Sequence, residues 1–338
     1  MQIVVAGQGY AGLPLAVRAA EGGHRVVGYD VNAHRVRQLA AGQSYVEDVA
    51  SDRLRAVLDS GVHSAAADAA ALAGFDIAVI TVPTPLRDGV PDLTYIKTCA
   101  RTLGGHLRPG ATVVLESTTY PGTTEELLLP ILEEASGLKA GEDFQAGFSP
   151  ERIAPGNKRF SFEETPKVVS GIDAKSLDVI KAFYDGVFRT TVPVSGPKVA
   201  ELAKLLENTF RLVNISMVNE LATLTERLDV NIWEAIDAAA TKPFGFTRFT
   251  PGPGVGGHCL RPGAFRAGSA VAGATTGAAT PHRRGPDRLP QGRGTARTHL
   301  SVTTAFSVTP ASAPHSHRAG STQCCGLYKS WTRRPPST

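Results

Sequence analysis

Gly7-Gln8-Gly9-Tyr10-Ala11-Gly12 decides the fold of this chain. The six residues follow the apolar run Ile3–Ala6 and open a segment of helical spacing from Gly12 to Glu21. At the junction of a strand and a helix, Gly7 permits a tight turn and Gly9 lets the backbone approach a pyrophosphate. Gly12 lets the helix pack close on the strand. Free N–H groups and the positive end of the helix dipole favour phosphate at that place. Gly7, Gly9, Tyr10, Ala11 and Gly12 are therefore candidate cofactor contacts. The spacing alone is common, but Asp30 ends the next apolar run, Arg25–Tyr29, 18 residues after Gly12. A carboxylate there can accept both ribose hydroxyls and repels a 2′-phosphate, which favours NAD over NADP. Arg35, five residues on, reads equally as an adenosine-side contact or as a solvated helix charge.

Outward from this motif, short apolar runs alternate with helical patterns. Strands are expected at Ile3–Ala6, Arg25–Tyr29, Ile77–Val82, Thr112–Leu115, Ala146–Phe148, Val168–Ser170 and Thr191–Pro193. Helices are expected around Gly12–Glu21, Ala33–Ala40, Tyr95–Leu103, Thr123–Ala135 and Lys175–Tyr184. Such alternation predicts an α/β fold, a Rossmann-like doubly wound parallel sheet over residues 1–196. The pattern then changes. Val199, Leu202, Leu205, Leu206, Phe210, Val213, Ile215, Val218, Leu221 and Leu224 follow helical spacing from Lys198 to about Leu228. A helix of that length, ~45 Å at 1.5 Å per residue, outruns the sheet and suits a linking or dimer-forming role. A shorter helix, Ile232–Ala240, and the loop Pro251-Gly252-Pro253-Gly254-Val255-Gly256-Gly257-His258-Cys259 complete a central helical domain, residues 197–259.

Charge divides the 338 residues at the same place. Residues 1–259 hold 24 Lys and Arg against 30 acidic side chains, whereas residues 260–338 hold 11 against Asp287 alone. This last stretch has no Ile and is rich in Gly, Ala, Pro, Ser, Thr and Arg. It can bury too little apolar surface to offset its ordering entropy, so a largely disordered basic tail is expected. Its charge would suit an anionic partner, but Arg outnumbers Lys ten to one and no period is visible; neither a nucleic acid nor a membrane is expected as partner. Cys99, Cys259, Cys324 and Cys325 show no CxxC or other metal spacing, and no disulfide framework. The first residues lack the basic region of a secretory signal, and no apolar stretch is long enough for a bilayer. A cytoplasmic protein without a metal site is expected.

The motifs that carry chemistry sit where strands and helices end. Val82-Pro83-Thr84-Pro85 follows one strand, Glu116-Ser117-Thr118-Thr119-Tyr120-Pro121-Gly122 the next, and Ser149-Pro150-Glu151-Arg152-Ile153-Ala154-Pro155-Gly156 another. Glu201 to Arg211 lies on the long helix, with Lys204 and Asn208 spaced i, i+4 on one face, and Gly256-Gly257-His258-Cys259 closes the set. Together these stretches resemble the UDP-glucose/GDP-mannose dehydrogenase family over residues 1–259. Ser-Pro-Glu-Arg with Gly-Gly-His-Cys is more similar to its UDP-N-acetylmannosamine and UDP-N-acetylglucosamine 6-dehydrogenases than to its UDP-glucose enzymes. The resemblance implies NAD-dependent oxidation of a sugar C6 alcohol to a carboxylate, with two cofactors used in succession. It implies Cys259 as the nucleophile that forms a thiohemiacetal and then a thioester. Lys204 and Asn208 then stabilise the alkoxide, and Lys204 is also a candidate acid or base. Glu151 and Thr118 act near the nicotinamide, with Glu151 the candidate base for thioester hydrolysis, and Thr84 joins the cofactor set. Glu151, Arg152, Lys204, Asn208, Arg211, Phe249 and Gly256 form the candidate substrate site, and a homodimer through the central helix is implied. Read without the resemblance, Cys259 is a small buried hydrophobe, Lys204 and Asn208 a solvated pair, and Glu151 a helix-start charge; Arg152 and Arg211 are open in either sense. His258 reads as a structural neighbour and Cys99 as core.

After Cys259 the resemblance stops. The family continues with an Asp four residues on and then with a second Rossmann-like domain that binds UDP. Here Gly263 holds that position, in Leu260-Arg261-Pro262-Gly263-Ala264-Phe265. No strand–helix alternation follows, and the remaining 79 residues are too few for that domain. A reading-frame change just after Cys259 is the expected cause, which re-reading the coding DNA one base out of register tests. The expectation is an enzyme by descent that binds NAD and has lost turnover. A UDP-glucose 6-dehydrogenase, a hydroxyacid dehydrogenase and an NAD-binding module without activity are the other readings. The thiol and Glu151 speak against the hydroxyacid enzymes, which need no covalent intermediate.

Overall fold

The computed structural model describes residues 1–87, 90–153 and 160–253. Gly256, Cys259 and residues 260–338 lie outside the described residues. The core is an eight-stranded sheet. Its strands are β1 (Gln2–Ala6), β2 (Arg25–Tyr29), β3 (His63–Ala66), β4 (Ile77–Ile80), β7 (Thr112–Leu115), β8 (Gln145–Phe148), β9 (Lys167–Gly171) and β10 (Thr191–Pro193). Two-residue strands β5 (Leu86–Arg87) and β6 (Val90–Pro91) form a separate pair. The helices are α1 (Gly12–Glu21), α2 (Ala33–Ala40), α3 (Ser51–Asp59), α4 (Thr94–Gly104), α5 (Leu129–Ser136), α6 (Ala174–Asp185), α7 (Pro197–Arg227) and α8 (Ile232–Ala240).

The sheet order is β10-β9-β8-β7-β4-β1-β2-β3. The chain winds outward from β1 through β2 to β3, then returns to place β4 on the other side of β1. That reversal opens a crevice at the carboxyl ends of β1 and β4, the place where doubly wound sheets bind ligands. Both faces are covered, because successive side chains of a strand point to opposite sides. Ile3 and Val5 pack with Leu13, Leu54 and Ile180 on one face, while Val4 and Ala6 pack with Ile96, Leu103 and Leu132 on the other.

Three features depart from the sequence expectation. The sheet is mixed, because β9 runs antiparallel to β8, with Phe148 opposite Ser170. The helix expected over Thr123–Ala135 is divided into a π turn, Thr124–Leu128, and α5. Pro130, in the first turn of α5, has no N–H for the carbonyl four residues back and crowds it, so the backbone widens there. Elements at α3, β3 and the β5–β6 pair also arise between the anticipated ones.

Helix α7 is 31 residues long. Its first turns are buried at Pro197, Ala200, Glu201, Lys204, Leu205 and Asn208, and after them only Val218 is buried. Leu202, Leu206, Phe210, Val213, Met217, Leu221 and Leu224 form an exposed apolar stripe along it. Among the described residues no helix is long and apolar enough to cross a membrane.

Candidate active site

The glycine turn is built from β1. Gly7 adopts φ +98° and its N–H donates to the Tyr29 carbonyl at 2.8 Å, tying the turn to β2. No side chain caps the start of α1, although Asn32, Asp173 and Asn231 cap α2, α6 and α8. A Cβ at Gly9 would meet nothing within 4 Å. An uncapped helix start beside open space fits a pyrophosphate, whose oxygens would take the free N–H groups.

Asp30, 6% exposed, stands one residue past β2. Its Oδ2 accepts from Gln8 N–H at 3.0 Å and its Oδ1 from Asn32 N–H at 2.8 Å. A carboxylate has about four acceptor sites, so both oxygens retain capacity for ribose hydroxyls. Arg35 lies 3.5 Å from Asp30 Oδ2, and its guanidinium is 5.8 Å from the centre of the Tyr45 ring. Tyr45, which sequence reasoning did not single out, donates its hydroxyl to Gln8 O at 2.5 Å, and burial pushes its phenol up to about 12. Gln8 and Asp30 are thus braced by groups from three segments. Tyr10 and Ala11, at the outer side of the turn, are exposed and half-buried respectively.

Two strand-end loops lie further along the same sheet edge. Thr84 donates its hydroxyl to the Thr118 carbonyl at 2.8 Å, and Ser117 donates to Val82 O at 2.7 Å, so the loops after β4 and β7 are stitched together. Glu151 follows β8. Its Oε1 accepts from Ile153 N–H, while Oε2 is buried with no hydrogen-bond partner among the described residues. Burial pushes the Glu151 carboxyl up; Lys167 pulls it down, Glu116 pushes it up and Lys204 pulls it down. Lys204, one of the charges that act on Glu151, lies on the buried face of α7 that also carries Asn208.

The structure assigns the arginines unequally. Arg152 donates to Pro166 O at 2.7 Å and pairs with Glu207 of α7, also at 2.7 Å, so it ties the β8 loop to the helix. Arg211 is exposed, one turn beyond the buried face of α7. Phe249 is half-buried and packs edge-on against Phe210, ring centres 5.8 Å apart. Gly252 N–H donates to Asn219 Oδ1 at 2.9 Å. The segment that leads to the cysteine loop is therefore fastened to α7 at Phe210 and Asn219, beyond Asn208.

Glu201 has a role that its place in a motif did not reveal. Fully buried, it accepts from Gly122 N–H at 2.6 Å and from Thr124 N–H and Oγ1 at 2.9 and 2.7 Å. It caps the helical turn after β7 from a different helix and so fixes α7 against the sheet. Burial pushes its carboxyl up against the pull of the Thr124 and Gly122 donors. Each such charged hydrogen bond contributes roughly 2 kcal/mol.

Residues 1–188 match the model of the UDP-glucose/GDP-mannose dehydrogenase family, NAD binding domain, and residues 198–266 match that family's central domain. Protein CapL of Staphylococcus aureus is 41% identical over 260 residues, 76% of this chain and 60% of its own length. UDP-N-acetyl-D-mannosamine dehydrogenase of Pyrococcus horikoshii is 37% identical over 261 residues, 77% of this chain and 62% of its own length. A solved UDP-D-ManNAc dehydrogenase from Pyrococcus horikoshii superposes with a TM-score of 0.75 at 36% identity, covering 79% of this chain and 63% of that one. The chain thus spans about 60% of the length of the curated relatives it matches.

Proposed function

This chain belongs to the UDP-glucose/GDP-mannose dehydrogenase family, and on that premise we propose that its fold was built to oxidise the C6 alcohol of UDP-N-acetylmannosamine or UDP-N-acetylglucosamine to the uronic acid, in the cytoplasm. The relatives' names support both substrates. The observation that carries the reading is the burial of Lys204 and Asn208 on one face of α7, with the Lys204 charge acting on Glu151, which follows β8. Residues 1–196 act as the cofactor domain and residues 197–259 as the central domain.

NAD, held at the glycine turn and Asp30, supplies the two-electron acceptor for each oxidation. The chain supplies the rest. Lys204 takes the C6 hydroxyl proton, and Asn208 donates to the oxygen as its charge develops. The Cys259 thiolate adds to the aldehyde carbon, giving a thiohemiacetal that the second oxidation converts to a thioester. A water then attacks the thioester carbon as Glu151 takes its proton; the C–S bond breaks, and its electron pair returns to sulfur. Arg152, engaged by Glu207, serves the loop's position.

Turnover requires groups on the far side of the cysteine loop, and residues 260–338 have Gly263 in place of an acid and the composition of a basic, weakly apolar segment. The 338-residue chain therefore binds NAD and forms no NADH. Calorimetric titration with NAD, followed by UDP-N-acetylmannosamine, UDP-N-acetylglucosamine and UDP-glucose with NADH absorbance recorded, tests both statements. Absent NAD binding would overturn the cofactor reading. NADH formed from any of the three sugars would show that residues 1–259 suffice for catalysis. The exposed stripe on α7 supports a homodimer along that helix, for which sedimentation of the same sample is the check.

A further inference from the structure

Because β9 runs against β8, its first residue arrives at the sheet edge where β8 and the strands parallel to it end. Continuing the β8–β9 register past Phe148 and Ser170 brings Lys167 level with Glu151, and the two line one small cleft with Phe188. Lys167 is 3% exposed, and its ammonium lies 2.9 Å from Oε1 of Glu116, at the end of β7. The Tyr184 hydroxyl, from α6, donates to the same carboxylate oxygen. The rings of Tyr184 and Phe188 stand 5.1 and 5.2 Å from the ammonium and close off water. Glu116 and Glu151 therefore both stand close to the Lys167 ammonium at the candidate site. The other charges near it are Lys204 on α7 and Arg152, whose guanidinium is turned to Pro166 O and Glu207.

We infer that Lys167, through its ion pair with Glu116, is the positioning residue that sets whether Glu151 stands as a carboxylic acid or a carboxylate. Burial disfavours a carboxylate oxygen that meets no donor, and the Lys167 ammonium is engaged by Glu116 rather than by Glu151. Glu116 has two donors, Lys167 and Tyr184. Glu151 Oε2 has none among the described residues, so the proton stays on Glu151. The Glu151 carboxyl is pushed up by burial, pulled down by Lys167, pushed up by Glu116 and pulled down by Lys204, with a net rise that agrees. Glu151 then becomes a base only as it ionises, and Lys167 governs the pH at which it does. The inference rests on the reading of Glu151 as the base for thioester hydrolysis.

The experiment is a carboxyl titration of the full chain labelled with 13C-glutamate, the Glu151 resonance being the one lost in Glu151→Gln. In the parent chain its midpoint is expected above the ordinary glutamate range. Lys167→Met should raise the midpoint and Glu116→Gln should lower it, each by about one pH unit, the scale of removing a neighbouring charge. Lys167→Arg should restore the parental midpoint. A purely structural Lys167 would alter the melting temperature and leave the midpoint in place; an unmoved midpoint in folded Lys167→Met and Glu116→Gln overturns the inference. Should Lys167→Met not fold, Lys167→Gln, which can still donate to Glu116, carries the same test. NAD titration of the same samples keeps the two readings apart. A parent chain that fails to bind NAD counts against the dehydrogenase reading, whereas the Glu151 midpoints judge Lys167 alone.

Discussion

Gly12→Ala is expected to abolish NAD binding and to lower stability by about 3 kcal/mol, the upper range for forcing atoms into a packed site. The new Cβ would lie 1.8 Å from the Gly7 carbonyl oxygen and 2.4 Å from Thr81 Oγ1. Neither can retreat freely. Thr81 Oγ1 donates to Gly7 O at 2.7 Å, and Gly7 N–H donates to Tyr29 O at 2.8 Å. Relief must come from moving α1 away from β1, which also carries off the N–H groups that would meet the pyrophosphate. A loss of at least roughly 100-fold in affinity, close to 3 kcal/mol, follows. Gly9→Ala is the contrast, since its Cβ would enter open space. It should melt within about 0.5 kcal/mol of the parent yet bind NAD at least tenfold more weakly, because the methyl stands where phosphate must approach. Calorimetry and thermal melts on the two variants separate packing from ligand access. Parental affinity in Gly9→Ala would show that the pyrophosphate passes elsewhere, and parental melting in Gly12→Ala would show that the helix can shift at little cost.

The glycine turn was legible because its residues serve purposes that act over a few positions: a turn, a close approach and a helix start. Asp30 was legible for the same reason, since it ends a strand whose neighbour is the turn itself. Period alone cannot give direction, so Val168–Ser170 read as a strand without showing that it runs antiparallel. The consequence was to hide Lys167. Its partners, Glu116 and Tyr184, are remote in sequence and meet it only through the reversal of β9. Glu201 belongs to a motif on α7, but its function as a cap for Gly122 and Thr124 depends on α7 crossing the end of a different helix. Residues 63–66, His-Ser-Ala-Ala, lack the branched side chains that mark a strand; pairing with β2 makes them one. Lys204 and Asn208 were placed on one face by spacing, and burial of that face against the sheet carries the reading beyond a solvated pair.

His63 is expected to make the folded chain sensitive to acid. It lies on β3 opposite Val26, 4% exposed, and neither ring nitrogen has a hydrogen-bond partner among the described residues. Burial pulls its imidazole down to about 4 from 6.5. A charged imidazolium there would have no counter-ion and little water, so the fold accepts only the neutral ring. Between the two values the unfolded chain binds a proton that the folded chain does not, and stability therefore rises with pH across that interval. The stabilisation is present above pH 6.5 and is lost as the pH falls toward 4, by about 3 kcal/mol in full and about 2 kcal/mol by pH 5. Other buried acids titrate too, so the measurement is a difference. His63→Leu, close in volume and with no polar atom to strand, should equal or exceed the parent in stability at pH 7. The variant should then outmelt the parent by several degrees more at pH 5 than at pH 7, since about 2 kcal/mol shifts a domain of this size by roughly 4–8 °C. Equal losses in the two proteins between pH 7 and pH 5 would mean that His63 finds a proton acceptor or water in solution, and the acid sensitivity would then belong to the carboxylates.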